Sequence, residues 1–349
     1  MINVLLVDDS ALVRTMLKQV IKEDHRFTVV GEAENGLKAV SQNRQLSPDL
    51  IIMDINMPVM NGIEATARIL ATSSPAVVGF STEDSMDTVY QCIAAGALEV
   101  IKKPDFAGMT QAMLRDFYDK IYLIAQNHKQ KKSVGKQESS SEEVSLSLFT
   151  ENSEPQKHKY DILFIGASTG GPTAVQTVLQ ALGPSYPLPI LVAQHIDDAF
   201  DVQFAKWLND TTGMHVELAQ NGTEPLPGHV YLAPAGHHLT VSKTRTTGTY
   251  LLQLNNEPPL HFLRPAVDKL FFSAAEVVRD RTLAVLLTGM GRDGADGCTR
   301  IVQNGGYTIA EAESSCVVFG MPKAAIDAGG AKKVLALTQI APYLKSLMR

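Results

Sequence analysis

The chain has 349 residues, 45% of them hydrophobic, with a formal net charge of −6 and a pI near 5.9. That length suggests two domains, each able to bury a core, and the acidic balance excludes a general attraction to nucleic acid or to an anionic membrane surface. No apolar run approaches the ~18 residues of a membrane span, the aspartates of "MINVLLVDDS" come too early for a secretory leader, and the scattered Cys92, Cys298 and Cys316 fit neither a disulfide framework nor paired zinc knuckles, so the expected setting is reducing and cytoplasmic, with no membrane insertion.

In chain order, "INVLLVDD", "FTVVGEAE", "DLIIMDI", "AVVGFST" and "EVIKKP" read as strands. Helical patterns over 10–23, 35–46, 62–71, 84–95 and 106–125 alternate with them. Such β-α alternation predicts a parallel sheet covered by helices on both faces. Ligands of such sheets sit at the carboxyl ends of the strands. Those ends carry Asp8-Asp9, Asp54, Ser81 and Lys103. Clustered carboxylates are costly without a cation, and an oxygen-lined site suits Mg²⁺. An aspartate beside that ion can accept a phosphoryl group. Lys103 is placed to neutralise the phosphoryl oxygens and Ser81 to donate to them. One of Asp9 and Ser10 is expected to cap the first helix. Gly79, where a β-branched residue is commoner, suggests a soft fourth strand.

"LLVDDS", "DLIIMDINMPVMNGIEA", "FST" and "IKKP" together resemble a response-regulator receiver domain over residues 1–125. The resemblance implies a flavodoxin-like (βα)5 fold and phosphorylation of Asp54 by a histidine kinase. It further implies Mg²⁺ held by Asp8, Asp9, Asp54 and the backbone carbonyl of Asn56, with Ser81 and Lys103 as switch residues.

From 126 to 159 the sequence turns polar, rich in Lys, Gln, Ser and Glu, and reads as a flexible linker. Its roughly 34 residues would span about 30 Å. Over 160–349 the β-α rhythm returns with "DILFIGA", "LPILVAQH", "HVELA", "HVYLAP", "LAVLLTG", "YTIAEA" and "KVLAL". "HLTVSKT" and "TYLLQLN", joined through Gly248, read as an antiparallel hairpin inserted into a doubly wound, mostly parallel α/β domain. Pro265 suits the first turn of a helix over 265–280, and Arg264 before it faces either the cleft or a salt-bridge partner.

The stretch "LFIGASTGGPTAV", residues 163–175, admits two chemistries. A dinucleotide site would need G-x-G-x-x-G and an acidic residue closing the second strand. The second strand ends instead in Gln194-His195. A nucleophile elbow fits better, since Gly166-Ala167-Ser168-Thr169-Gly170 is G-x-S-x-G. His195, at the end of the adjacent strand, is placed to take the Ser168 proton. Asp293 in "GMGRDGADG" is the candidate to orient that histidine, with Asp296 as its competitor. His237-His238 together with "HIDD" at 195–198 is a weaker hint of a metal site.

"IGASTGGPTAV", "AQHI", "LPGHVYLAP", "LRPAVDKLF", "LTGMGRDGADG" and "SCVVFGMPKAAI" resemble the chemotaxis-receptor protein-glutamate methylesterases of the CheB type. The resemblance implies Ser168 as nucleophile, His195 as general base and acid, and Asp293 as orienting carboxylate. It also implies an oxyanion hole of backbone N–H groups at Met290, supported by Thr169, and no cofactor for the ester hydrolysis. The implied substrates are glutamyl methyl esters on methyl-accepting chemotaxis receptors, with glutamine deamidation a related activity. The receiver is then expected to inhibit the second domain until Asp54 is phosphorylated. Asp197-Asp198 departs from the apolar-proline stretch expected after the histidine. The alternative reading is a response regulator whose second domain only binds a partner.

Overall fold

The computed structural model describes residues 1–81, 86–104, 108–134, 160–196 and 200–348, apart from the side chains of 86, 87, 133 and 134. In the first unit β1 (Ile2–Val7), β2 (Phe27–Ala33), β3 (Leu50–Asp54), β4 (Ala76–Ser81) and β5 (Glu99–Lys102) alternate with α1 (Ala11–Lys22), α2 (Gly36–Leu46), α3 (Gly62–Leu70), α4 (Met86–Ala94) and α5 (Gln111–Val134). The strands form a parallel sheet in the order β2-β1-β3-β4-β5. The central strand β3, "LIIMD", is buried throughout, as expected where helices cover both faces. Short polar residues start the helices. Ser10 accepts from the Val13 amide and caps α1, so the cap falls to Ser10 rather than Asp9. Asn35 caps α2 and Asn61 caps α3.

Helix α5 corrects one boundary. It continues to Val134, so residues 126–134 are helical rather than linker. The polar composition that suggested disorder is anchored by tertiary contacts. Asn127 Nδ2 donates to the Val317 carbonyl at 3.2 Å, Lys129 pairs with Asp49 at 3.0 Å, and Lys131 Nζ donates to the Cys316 carbonyl. The rest of the expected linker, 135–159, lies outside the described residues, as does the Asp197-Asp198 departure. Gly79 is also explained differently. A Cβ there would lie 3.0 Å from Val100 and 3.2 Å from the Cys92 thiol, so glycine admits close packing and a β-branched residue would collide.

The second unit holds a seven-stranded sheet in the order β14-β13-β12-β6-β7-β9-β8, parallel in every pair. Its strands are β6 (Ile162–Ala167), β7 (Ile190–Gln194), β8 (His215–Leu218), β9 (His229–Leu232), β12 (Thr282–Leu286), β13 (Tyr307–Glu311) and β14 (Lys333–Leu335). The expected antiparallel hairpin is β10 (His238–Lys243) with β11 (Tyr250–Asn255). Among the described residues six helices complete the unit: α6 (Gly171–Leu182), α7 (Asp201–Thr212), α8 (Val267–Ser273), α9 (Ala295–Gln303), α10 (Met321–Asp327) and α11 (Leu337–Ser346). The helix expected over 265–280 is shorter. It starts at Val267, passes into a π turn at Ala274–Val278 and a 3-10 turn at Arg279–Arg281. Pro265 therefore precedes the cap residue Ala266 instead of opening the helix. Arg264 donates to the Glu257 carbonyl at 3.4 Å.

The two units share apolar packing. Val89, Tyr90 and Ile93 of the first lie in one buried cluster with Phe200 and Phe204 of the second. Tyr90 packs against both Phe204 and Trp207, with ring centroids 5.5 and 5.3 Å away, and its hydroxyl donates to the Phe200 carbonyl at 3.1 Å.

Candidate active site

Strand register explains why Ser168 and His195 meet. Ala167 on β6 pairs with Gln194 on β7, so the next residue of each strand leaves the sheet at the same edge. The His195 amide donates to the Ala167 carbonyl at 3.1 Å. Gln194 then clamps both turns, its Nε2 donating to the Ser168 and His195 carbonyls at 2.9 Å each. On the other flank Gly166 pairs with Leu286 of β12, and the Ser168 amide donates to the Thr288 carbonyl at 3.0 Å. The loop after β12 passes so close that a Cβ on Gly289 would lie 2.7 Å from that of Ser168. Glycine is required there for packing reasons.

That loop delivers Asp293. Its Oδ2 lies 2.7 Å from His195 Nε2. The carboxylate is buried at the start of α8, where Oδ2 accepts from the Val267 amide at 2.7 Å and Oδ1 from the Asp268 amide at 2.9 Å. Burial opposes its ionisation, but the His195 bond and these amides outweigh burial and hold the carboxyl below the usual range. Asp296 is elsewhere, in an exposed pair with Arg292 at 2.7 Å. The structure thus brings Asp293, and not its competitor, to the histidine. Among the described residues His237 and His238 join no metal-ligand cluster, and Asp197-Asp198 of the expected set lie outside them. His237 Nδ1 contacts the Ala235 carbonyl, while His238 uses Nε2 toward the Pro258 carbonyl and Nδ1 to accept from the Ala266 amide.

Ser168, Thr169, His195 and Met290 line one cleft, and the first unit supplies its opposite wall through Tyr90, Glu99 and Lys120. Glu99 Oε2 accepts from the Gly170 amide at 3.3 Å.

Sequence reasoning missed three supporting residues. Asp268 is buried beside Asp293. Its Oδ1 accepts from the Gly297 amide at 2.7 Å, and its Oδ2 has no hydrogen-bond partner among the described residues. Burial, aided by the Asp293 charge, pushes its pKa up to about 7. Glu311 is buried behind the serine turn and accepts from the Thr288 amide at 2.8 Å. Thr288 Oγ1 in turn donates to the Thr169 carbonyl at 2.9 Å. The third is Gln194, described above. Only its position beside His195 could have signalled a role.

In the first unit Lys103 Nζ bridges Asp8 Oδ2 at 2.8 Å and Asp54 Oδ2 at 2.9 Å. Asp8, Asp9 and Asp54 each offer a carboxylate oxygen, all within 4.8 Å of one another. Asp8 and Asp54 are buried and Asp9 is exposed. Burial pushes Asp54 up to about 6, against the pull of Lys103 and with a push from Asp8. Three oxygens this close, with one ionising reluctantly, fit a divalent cation. Ser81 is buried at the end of β4, and its carbonyl accepts from the Lys103 amide at 2.7 Å. The Asn56 amide hydrogen-bonds Asp54, which places Asn56 at the same rim.

A serine, a histidine and a buried aspartate at the edge of a parallel sheet, walled by an acidic phosphoacceptor-type unit, are the arrangement of a hydrolase coupled to a receiver. Residues 4–114 match the response regulator receiver domain and residues 163–344 match the CheB methylesterase domain. The chain belongs to the CheB methylesterase family. It is similar to a protein-glutamate methylesterase/protein-glutamine glutaminase of Clostridium acetobutylicum, at 33% identity over 351 residues covering 100% of this chain and 98% of the relative. A relative of the same description from Geobacter metallireducens is 36% identical over 353 residues, covering 99% of each. The crystal structure of the Thermotoga maritima CheB methylesterase catalytic domain superposes with a TM-score of 0.52 at 39% identity, covering 54% of this chain and 98% of that one. Among the described residues no helix is long and apolar enough to cross a membrane.

Proposed function

We propose that this chain hydrolyses glutamyl methyl esters, and deamidates glutamines, on chemotaxis receptors in the cytoplasm, under control of phosphorylation at Asp54. The 2.7 Å contact between His195 Nε2 and Asp293 Oδ2, beside Ser168, carries the reading. With Nε2–H donating to Asp293, the lone pair on Nδ1 is the one available to the Ser168 hydroxyl. Ser168 Oγ attacks the ester carbonyl while His195 takes its proton. His195 then returns the proton to the leaving methoxide, releasing methanol and leaving a glutamyl-serine ester. Water, deprotonated by His195, attacks that ester; the carboxylate is released and Ser168 regains its proton. With glutamine, ammonia leaves in place of methanol. Backbone N–H groups near Met290 and Thr169 are the candidate donors to the oxyanion.

Asp8, Asp9, Asp54 and the Asn56 carbonyl would hold Mg²⁺, which when bound neutralises charge on an incoming phosphoryl group. Asp54 would take the phosphoryl from a histidine kinase, with Lys103 and Ser81 contacting its oxygens. The receiver wall over Ser168 supports inhibition in the unphosphorylated state, since a receptor helix is far bulkier than the cleft admits. Phosphorylation acts only insofar as it weakens the docked state relative to the open one. The test is a serine-reactive phosphonate. It should label Ser168 in the full chain, faster after treatment with acetyl phosphate and not in Ser168→Ala. Labelling that survives Ser168→Ala would reject the nucleophile.

A further inference from the structure

Between β11 and α8 the chain makes a tight hairpin that the mechanism above does not use. Leu260 and Leu263 exchange both backbone hydrogen bonds, at 3.1 and 2.9 Å. His261 and Phe262 are therefore the two residues of the turn. Both have positive φ, 54° and 65°. A two-residue turn of this hand favours Asn-Gly or Asp-Gly, because a residue with a bulky side chain is strained in the left-handed region. Here it presents a phenylalanine whose relative exposure is 101%. Neither backbone comfort nor burial accounts for that residue, and strain held at a site boundary points to function.

The turn is fixed to the cleft on both sides of Phe262. Leu263 lines the cleft with Ser168 and His195. His261 Nε2 stands 3.6 Å from Asp268 Oδ2, and the Asp268 amide holds Asp293. A glutamyl side chain is short, so the polypeptide carrying the ester must lie across the rim for its carbonyl to reach Ser168. An exposed aromatic on that rim meets the carrier first. Exposed aromatics are favoured as interface anchors because they offer a large contact area with few rotatable bonds.

We infer that Phe262 is a docking anchor for the substrate protein, packing on an apolar patch of an amphipathic receptor helix next to the esterified glutamate. It is bare while the receiver still covers the cleft, so the helix is captured before Ser168 is uncovered. This rests on the esterase reading given above.

The test uses the full chain treated with acetyl phosphate and a methylated receptor. Phe262→Ala should raise KM at least about fivefold with kcat little changed, as loss of an anchor does. Phe262→Trp should keep near-normal KM. Phe262→Gly should relieve the turn and raise Tm while losing receptor affinity like the alanine variant, a split that a structural role would not produce. Phosphonate labelling of Ser168 should be equal in all of them. Wild-type KM in Phe262→Ala and Phe262→Gly would overturn the anchor, as would a fall in both Tm and labelling. If instead the esterase reading is what fails, wild type and every variant release no methanol, an outcome distinct from either.

Discussion

Glu99, at the start of β5 in the receiver, holds its carboxylate 3.3 Å from the backbone N–H of Gly170, two residues beyond Ser168. A carboxylate at the positive end of α6 is electrostatically favoured. It is also the group that ester hydrolysis leaves on the substrate. The receiver thus places a product-like anion beside the Ser168 turn, with Lys120 3.8 Å away on the receiver side.

Glu99→Gln preserves shape and removes the charge. A hydrogen bond to a charged group contributes about 1.5–3 kcal/mol, and at 3.3 Å the lower end applies. Unphosphorylated activity should therefore rise by up to about tenfold, and phosphorylated activity should not change. Equal unphosphorylated rates for Glu99→Gln and wild type would show that this contact has no part in gating.

Tyr90→Ala removes the stack on Phe204 and Trp207 and the hydrogen bond to Phe200. The docked state should weaken, so the phosphonate should label Ser168 faster in the unphosphorylated variant, approaching the phosphorylated wild-type rate. Slower or unchanged labelling would assign the stack to stability alone.

Asp293→Asn keeps the side-chain volume but only one of the two acceptor oxygens, so either the Val267 or the Asp268 amide loses its partner and a modest fall in Tm accompanies the substitution. Turnover should fall on the order of 10⁴-fold, by the serine-protease precedent for a histidine held in the wrong tautomer. Asp296→Asn removes an exposed ion pair with Arg292 and a charge within 4.8 Å of the Asp268 carboxylate, but no contact to His195, and should stay within about fivefold, as surface pairs contribute roughly 0–1 kcal/mol. A receptor methylesterase assay giving the reverse order would move the orienting role to Asp296.

Asp268 sets a pH signature. Its folded pKa is raised from 3.8 to about 7 by burial and the Asp293 charge. Between those values the folded chain holds a proton that the unfolded chain has lost. This contribution is fully present below about pH 4 and is lost as pH rises through about 7. Asp268→Asn, which keeps an acceptor for the Gly297 amide, removes the loss. The Tm of the variant relative to wild type should therefore increase between pH 5 and pH 8. A constant difference would mean that Asp268 is ionised throughout.

Some of this was readable from strand ends alone. In a parallel sheet the residue after each strand falls at one edge, so "IGAST" and "AQHI" on neighbouring strands place Ser168 beside His195, and "VDDS", "IIMDI" and "IKKP" place Asp8, Asp54 and Lys103 together. Asp268 was not readable, because an acid in the first turn of a helix looks like an ordinary dipole partner. The tail of α5 was misread because its order comes from carbonyls of the 316–317 loop, distant in sequence. The Glu99–Gly170 contact depends on how two units dock, and no local pattern encodes that.

The central claim is that Ser168 demethylates receptor under control of Asp54. It is tested most directly by methanol release from methylated receptor membranes by the full chain and by Ser168→Ala, each with and without acetyl phosphate. The account predicts release by wild type that increases with acetyl phosphate, and none from Ser168→Ala in either condition. Methanol release by Ser168→Ala at the wild-type rate would contradict it.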